Sequence, residues 1–232
     1  MLLCRGDWMD QAGEIFSQVV EGRRSVRGFK AEPVARDLIE DVFRVAQQAP
    51  SNCNTQPWDV VVVSGEKCDL LRTRFTETFM QGQIKLDFPY DGKYEGVYRD
   101  RQYDAANQLY SAQSIDRADK VRRNEAFMRN FTFFEAPHVA FFFLPEPFGL
   151  REAADLGMYA QTVMLAMVAN GLASCPQTAL SMSADMLREE LGLPSSMKVM
   201  FGLSFGYEDL DHPANKCRVG RADVADTVKF ID

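Results

Sequence analysis

One amphipathic helix, with a polar segment at each end and a strand directly after it, sets the framework of this chain. The first polar segment reads Arg23-Arg24-Ser25-Val26-Arg27. Residues 36–48 place apolar side chains at the spacing of a helix with one buried face. The second polar segment, residues 49–58, is stiffened by two prolines. A β-branched run at residues 60–63 follows and predicts a buried strand.

These two polar segments carry groups suited to an anion and to a heteroaromatic ring. Three arginines fall within the first segment, although the chain has a formal net charge of -7. Guanidinium groups bind phosphate oxygens in bidentate fashion. The second segment offers short hydroxyl and amide side chains, which can read the hydrogen-bonding edge of a ring. Taken alone, the first segment is typical of a solvated surface and the second segment is typical of a turn. A binding site is favoured because the two segments lie at the two ends of one helix.

The rest of the chain predicts an α+β protein in which strands are separated by helices. Apolar runs at residues 138–144 and 199–205 predict two further strands. Helices are predicted at residues 10–22, 66–79, 116–134, 151–171 and 183–191. The helix at 151–171 is apolar nearly all round, so we expect it to be buried on most sides. Since no flexible linker divides the chain, we expect a single domain over residues 1–232.

Residues 80–110 interrupt this alternation. Several aromatic residues lie there among prolines, glycines and many charges, which predicts an irregular excursion rather than a linker. This segment could be a surface loop packed on its own aromatic side chains, or a lid or channel wall over a cofactor. The tail from residue 209 has few apolar residues and is expected to form a C-terminal arm.

Cysteine usage and charge exclude several classes of protein. The five cysteines are widely spaced, with no C-x-x-C pair and only two histidines, which favours reduced cytoplasmic thiols over disulfides or a metal site. Cys175 lacks a visible histidine partner and is interpreted as a buried filler rather than a nucleophile.

Residues 1–7 lack the apolar core of a signal peptide, and no apolar run reaches the length of a membrane span. The acidic balance argues against nucleic acid as a partner.

Both polar segments resemble the signature of the FMN-dependent nitroreductase family, in which Arg-Arg-Ser-x-Arg and Ala-Pro-Ser-x-x-Asn-x-Gln-Pro-Trp flank the first long helix. The resemblance continues through residues 131–138, 171–178 and 202–221, and it is strongest to the nitrobenzoate-reductase-like subgroup. It implies a three-layer sandwich with a mixed, mostly antiparallel sheet flanked by helices. It also implies an intertwined homodimer, in which the long apolar helix packs at the interface and the C-terminal arm crosses onto the partner.

The same resemblance implies FMN sites at the subunit interface. The arginine segment and the C-terminal arm would hold the FMN phosphate, and the loop after the first helix would complete the site from the other subunit. The turn at residues 171–178 would place main-chain N–H groups beside flavin N5, beginning after Pro176, which has none. The implied FMN-binding residues are Arg23, Arg24, Ser25, Arg27, Pro50, Ser51, Asn52, Asn54, Gln56, Pro176, Gln177, Thr178, Arg218 and Arg221.

A reaction is implied as well. Hydride from NADPH or NADH would pass through flavin N5 to a nitroaromatic or similar electrophilic acceptor by a ping-pong mechanism, with no catalytic side chain and no metal ion. Quinone or enone reduction and reductive dehalogenation on the same flavin remain open alternatives. A flavin-free binding protein that has kept only the fold is a further one.

The predicted substrate pocket contains Tyr94, Phe134 and Glu135. Close relatives in the resembled subgroup have glycine where this chain has Glu135. If that turn requires a positive φ, the glutamate is strained there, or its carboxylate projects toward the pocket and disfavours anionic substrates.

Overall fold

The computed structural model describes residues 5–90 and 92–231. Its helices are α1 (Arg5–Gly22), α2 (Arg36–Ala46), α3 (Gly65–Met80), α4 (Gly96–Ala112), α5 (Lys120–Met128), α6 (Leu150–Ala169), α7 (Ala184–Leu191) and α8 (Val224–Thr227). Its strands are β1 (Asp59–Ser64), β2 (His138–Pro145), β3 (Ala173–Gln177) and β4 (Met197–Gly206). The expectation that residues 1–7 form no signal peptide falls partly on Met1 to Cys4, which lie outside the described residues.

These four strands form one sheet in the order β1-β2-β4-β3, with antiparallel neighbours throughout. β2 is central and pairs along its length with β1 and β4, so that Phe141 lies opposite Val61 on one side and Gly202 on the other. Parallel pairing occurs in isolated bridges, one of which joins Ser25 of the arginine segment to Ser174 of β3. The sheet therefore carries the arginine segment along its β3 edge.

Helices cover both faces of the sheet, as the three-layer prediction requires. Alternate residues of β2 point to opposite faces. Phe142 packs with α2 and α6 in one apolar core, whereas Phe141 packs with α3 and α7 in the other. Both phenylalanines are fully buried, and each such side chain contributes about 2 to 3 kcal/mol by leaving water. The run at 138–144 is continuously apolar because both of its faces are covered.

Most of the predicted elements are confirmed. The helices at 36–48, 66–79, 151–171 and 183–191 correspond to α2, α3, α6 and α7, with ends shifted by one or two residues. α1 starts five residues earlier than predicted. The strands predicted at 60–63, 138–144 and 199–205 are β1, β2 and β4. α6 is buried on one face only, because no other element of the described chain covers the exposed Ala154, Gly157 and Met158.

Three predictions of local structure require correction. The second half of the 80–110 excursion is not irregular but forms α4, which buries none of its residues and so has no apolar stripe to reveal it. The 171–178 segment is not a turn throughout, since Ala173–Gln177 form β3. That strand lies at the edge of the sheet, where a proline is tolerated. The 116–134 helix is shorter than predicted and ends at Met128.

Within the described part of the chain, every helix is too short or too polar to cross a bilayer.

Candidate functional site

A cavity of about 920 Å³ lies between the end of α1, α6 and the C-terminal arm. It brings together two arginine-rich segments that are nearly 200 positions apart in the sequence. We call it the arginine cavity. The predicted site residues that line it are Arg23, Arg24, Ser25, Arg27, Arg218 and Arg221.

Four of the five arginines in this cavity have no acidic partner among the described residues. The side chains of Arg27, Arg218 and Arg221 donate to main-chain carbonyl oxygens at 3.3, 2.6 and 3.0 Å. Burial lowers the pKa of Arg23, and the nearby charge of Arg221 lowers it further. Like charges that are partly withdrawn from water repel one another, so an anion bound among them would be stabilised.

Arg24 differs from the other four arginines. Its guanidinium forms an ion pair with Glu208 and also donates to the main-chain oxygen of Asn215 at 3.2 Å. A carboxylate therefore already balances the charge of Arg24 in the described chain, and its role toward FMN stays a prediction. Glu208 belongs to no recognisable motif, so the sequence did not identify it as the partner of Arg24.

The loop after α2 is exposed and conformationally strained. Cys53, Asn54 and Gln56 all have positive φ values, of 51°, 56° and 47°, in a region that non-glycine residues seldom occupy. The conformation is held by the Gln56 N–H, which donates to Ser51 Oγ at 2.9 Å, and by the Asn52 N–H, which donates to buried Asp155 at 3.1 Å. Strained backbone of this kind is concentrated at functional sites. The loop does not line the arginine cavity of its own chain.

The side chains of Gln177 and Cys175 in β3 are both buried within the chain. The Gln177 side chain is buried and donates to Asn130 O at 2.9 Å, while its carbonyl accepts from the Ser204 hydroxyl. Both ends of the Gln177 amide are therefore occupied within the chain, whereas the side chain of Thr178 is exposed. Cys175 is a buried filler, as predicted, because burial raises the pKa of its thiol to about 11 in spite of the neighbouring arginines.

The turn at Phe133–Glu135 does require positive φ: its three residues have φ values of 60°, 52° and 60°. Glu135 is consequently in a strained conformation, as the glycine comparison anticipated. Its carboxylate does not project freely, however, since it forms an ion pair with Arg129 and accepts from Thr132 Oγ1 at 2.9 Å. An effect of Glu135 on anionic substrates stays a prediction.

Phe134 has two cations close to its ring and lines a second cavity of about 170 Å³, which we call the aromatic cavity. The guanidinium carbons of Arg27 and Arg129 are 5.9 and 5.7 Å from the centre of its ring. Arg27 lines both cavities, so the two meet at that residue. Arg129 was missed because its charged neighbourhood resembles a solvated helix face.

Tyr94 lines neither of these two cavities. It is 45% exposed, and its hydroxyl accepts a hydrogen bond from the Tyr90 hydroxyl at 3.1 Å. A role for Tyr94 toward substrate stays a prediction.

The chain thus combines a two-core α+β fold with an arginine-lined cavity at the β3 edge of its sheet. The sequence model of the Nitroreductase family matches residues 20–207. The chain therefore belongs to the nitroreductase family.

Relatives within the family are similar over nearly their whole length. Nitroreductase NfnB of Mycolicibacterium smegmatis is 41% identical over 214 residues, which cover 92% of this chain and 91% of that protein. A 4-nitrobenzoate reductase of Pseudomonas putida is 31% identical over 206 residues, covering 89% and 91%. The crystal structure of the FMN-dependent NfnB from Mycobacterium smegmatis in complex with NADPH superposes with a TM-score of 0.92 at 40% identity, over 95% of this chain and 100% of that one.

Proposed function

We propose that the protein is an NADPH- or NADH-dependent FMN oxidoreductase that reduces nitroaromatic or similar electrophilic acceptors. The observation that carries the proposal is the arginine cavity, in which Arg23, Arg27, Arg218 and Arg221 converge without an acidic partner in the described chain. An FMN phosphate supplies the missing negative charge. Relatives that are 41% and 31% identical bear the names nitroreductase and 4-nitrobenzoate reductase.

The residues present fit FMN in charge, size and chemistry. Four guanidiniums and the Ser25 hydroxyl provide donors for a phosphate, and the cavity has the volume of a typical cofactor site. Arg27 extends the positive charge toward the aromatic cavity, where a ring edge with carbonyl groups would benefit from it. The main chain of Gln177 and Thr178 lies beyond exposed Pro176 and offers its N–H groups to flavin N5.

When bound, FMN supplies the hydride chemistry at its N5 atom. The residues of the chain then bind the cofactor, orient the acceptor and exclude water. Arg23, Arg27, Arg218 and Arg221 would hold the phosphate, and Arg27, which lines both cavities, would also stabilise negative charge on the ring. Phe134, with Arg27 and Arg129 close to its ring, would form an apolar wall against which an aromatic acceptor can lie.

A homodimer completes this site. The strained loop at residues 50–56 is exposed and lies apart from the arginine cavity of its own chain, so its Ser51, Asn52, Asn54 and Gln56 are free to face the cavity of a second copy. The exposed face of α6 carries small residues at Ala154 and Gly157, which allow another helix to approach closely. The tail offers large apolar side chains to a partner, since Phe230 and Ile231 are 82% and 93% exposed.

The proposal is tested by the absorbance spectrum of the purified protein, recorded anaerobically before and after NADPH or NADH. We expect flavin bands that bleach with the nicotinamide and return when nitrobenzene is added. A colourless protein that takes up no added FMN would refute the cofactor assignment. If neither NADPH nor NADH bleached the flavin bands, the assignment of the electron donor would be refuted, but the assignment of the FMN site would stand.

A further inference from the structure

Asn215 lies where the arginine segment meets the C-terminal arm. It belongs to the short turn Pro213–Lys216 and is 3% exposed. Its Oδ1 accepts from the main-chain N–H of Arg27 at 2.7 Å, and its Nδ2 donates to the oxygens of Gly28 and Asp209, both at 2.8 Å. Both N–H donors of the amide are therefore used within the chain, and none remains for a ligand.

The main-chain oxygen of Asn215 orients two of the cavity arginines. It accepts from Arg218 Nη1 at 2.6 Å and from Arg24 Nη1 at 3.2 Å. One residue thus fixes the backbone at Arg27 and the guanidinium groups of Arg24 and Arg218. These cations come from both segments of the cavity, and their like charges repel one another.

The contact between the two segments is tight. A Cβ added to Gly28 would lie 2.2 Å from Cγ of His212, so only glycine allows the His212 ring to pack there. The Asp209 N–H also donates to Gly28 O at 3.1 Å. Residues 209–215 therefore hold the backbone of Arg27 and Gly28 from one side, with the Asn215 side chain as the central link.

We propose that Asn215 is a positioning residue that holds the arginine cavity in the geometry required by a phosphate. It acts through Arg27, Arg218 and Arg24, so the cations are arranged before the ligand arrives and little ordering is left to occur on binding. The inference rests on the proposed FMN function and adds the residue that prepares its phosphate site.

The test compares FMN with riboflavin, which has the same ring and no phosphate. Both are titrated into the apoprotein of the wild type and of Asn215→Ala, and the ratio of the riboflavin Kd to the FMN Kd is determined. We expect the substitution to lower this ratio by roughly 10-fold or more, as happens when a residue that orients ligand-binding groups is lost. The affinity for riboflavin should fall less, because riboflavin shares the ring contact of Arg27 but has no phosphate for the other arginines to hold.

Leu187→Ala is the stability control, because Leu187 is fully buried in the core between α7 and the sheet. It should lower the melting temperature and leave the ratio unchanged. An unchanged ratio in Asn215→Ala would overturn the proposal. A wild type that binds neither flavin, or binds both equally, would instead refute the proposed function itself.

Asn215→Ser is the second variant, should Asn215→Ala not fold. Its shorter side chain carries a single hydroxyl, which cannot replace the bonds of Asn215 to Arg27, Gly28 and Asp209 together, so the same loss of FMN preference is expected. If neither variant folds with or without added FMN, Asn215 serves the fold rather than the cavity, and the proposal is overturned.

Discussion

Arg23 and Arg24 are sequence neighbours in different electrostatic situations. Arg24 is balanced by Glu208, whereas Arg23 faces Arg221 and has no acidic partner in the described chain. We therefore expect Arg23→Ala to raise the Kd for FMN by about 10- to 100-fold, the value of a hydrogen bond to a charged group. Fluorescence titration of the apoprotein measures it.

Lys30→Ala is the matched control for this prediction, because it removes one exposed positive charge outside the cavity. It should leave the Kd for FMN nearly unchanged. If Arg23→Ala retained FMN as tightly as Lys30→Ala does, Arg23 would have no role in holding the phosphate.

Glu135 combines a strained backbone conformation with a carboxylate that balances a cation of the aromatic cavity. It occupies φ +60° and neutralises Arg129, which lines the aromatic cavity. Glu135→Gly should relieve the strain and free the Arg129 charge. We expect kcat/KM for nitrobenzoate to rise by roughly fivefold relative to that for nitrobenzene, equivalent to about 1 kcal/mol.

Glu135→Gln separates these two effects, since it removes the charge but keeps a strained side chain. It should increase the preference for nitrobenzoate without the gain in melting temperature that glycine brings. Unchanged substrate ratios in both variants would show that Arg129 does not act on the acceptor.

At the residue scale, sequence reasoning located the charges but not their partners. Arg23, Ser25, Arg27, Arg218 and Arg221 were predicted from two motifs, and the structure brings them into one cavity. The pairing of Arg24 with Glu208 and of Arg129 with Glu135 depends on the tertiary arrangement. A single carboxylate in a charged segment carries no pattern that would indicate which arginine it meets.

Among the elements, His138 of β2 joins the sheet to the segment before α2. The Val34 N–H donates to His138 Nε2 at 2.8 Å, and Ser64 Oγ lies 2.5 Å from Nδ1, so the ring is held in a neutral form. Burial lowers the pKa of His138 below its ordinary value of 6.5. The stability due to the neutral ring is therefore complete above about pH 6.5 and is lost as the pH falls through the lowered pKa.

We expect the gap in melting temperature between the wild type and His138→Gln to shrink between pH 7.5 and pH 5. Each unit by which the pKa is lowered corresponds to about 1.4 kcal/mol. Other titrating groups, including His212, are present in both proteins and cancel in this comparison. A gap that stays constant over the range would contradict the account of His138.

Most elements that line the two cores were predictable from the sequence, whereas α4 and β3 were missed. α2, α3, β1, β2 and β4 contribute to the cores and show the expected periodicity. α4 buries no residue, so its Tyr98 and Tyr103 form no stripe. β3 was missed because Pro176 is typical of a turn. A proline is compatible with a strand at the edge of a sheet, but the sequence does not show that β3 lies there.

At the scale of the whole molecule, the proposed homodimer would have the exposed face of α6 at its interface. Gly157 lies on that face, and a Cβ placed there meets no atom of its own chain within 4 Å. Gly157→Glu should therefore leave the fold intact but separate the proposed dimer, with loss of FMN. Sedimentation velocity measures both mass and bound flavin.

Thr73→Glu adds the same charge to an exposed position of α3 and should remain dimeric. A wild-type monomer that retains flavin would contradict a site shared between two subunits, and so would a Gly157→Glu monomer that keeps its flavin.

The central claim is that the arginine cavity recognises a phosphorylated flavin. Calorimetric titration of the wild-type apoprotein with FMN and with riboflavin tests it most directly. Contacts from several guanidiniums predict that FMN binds at least about 100-fold more tightly, a difference of about 2.7 kcal/mol. Equal affinities for the two flavins would contradict the account, because they would show that the four converging arginines do not bind the phosphate.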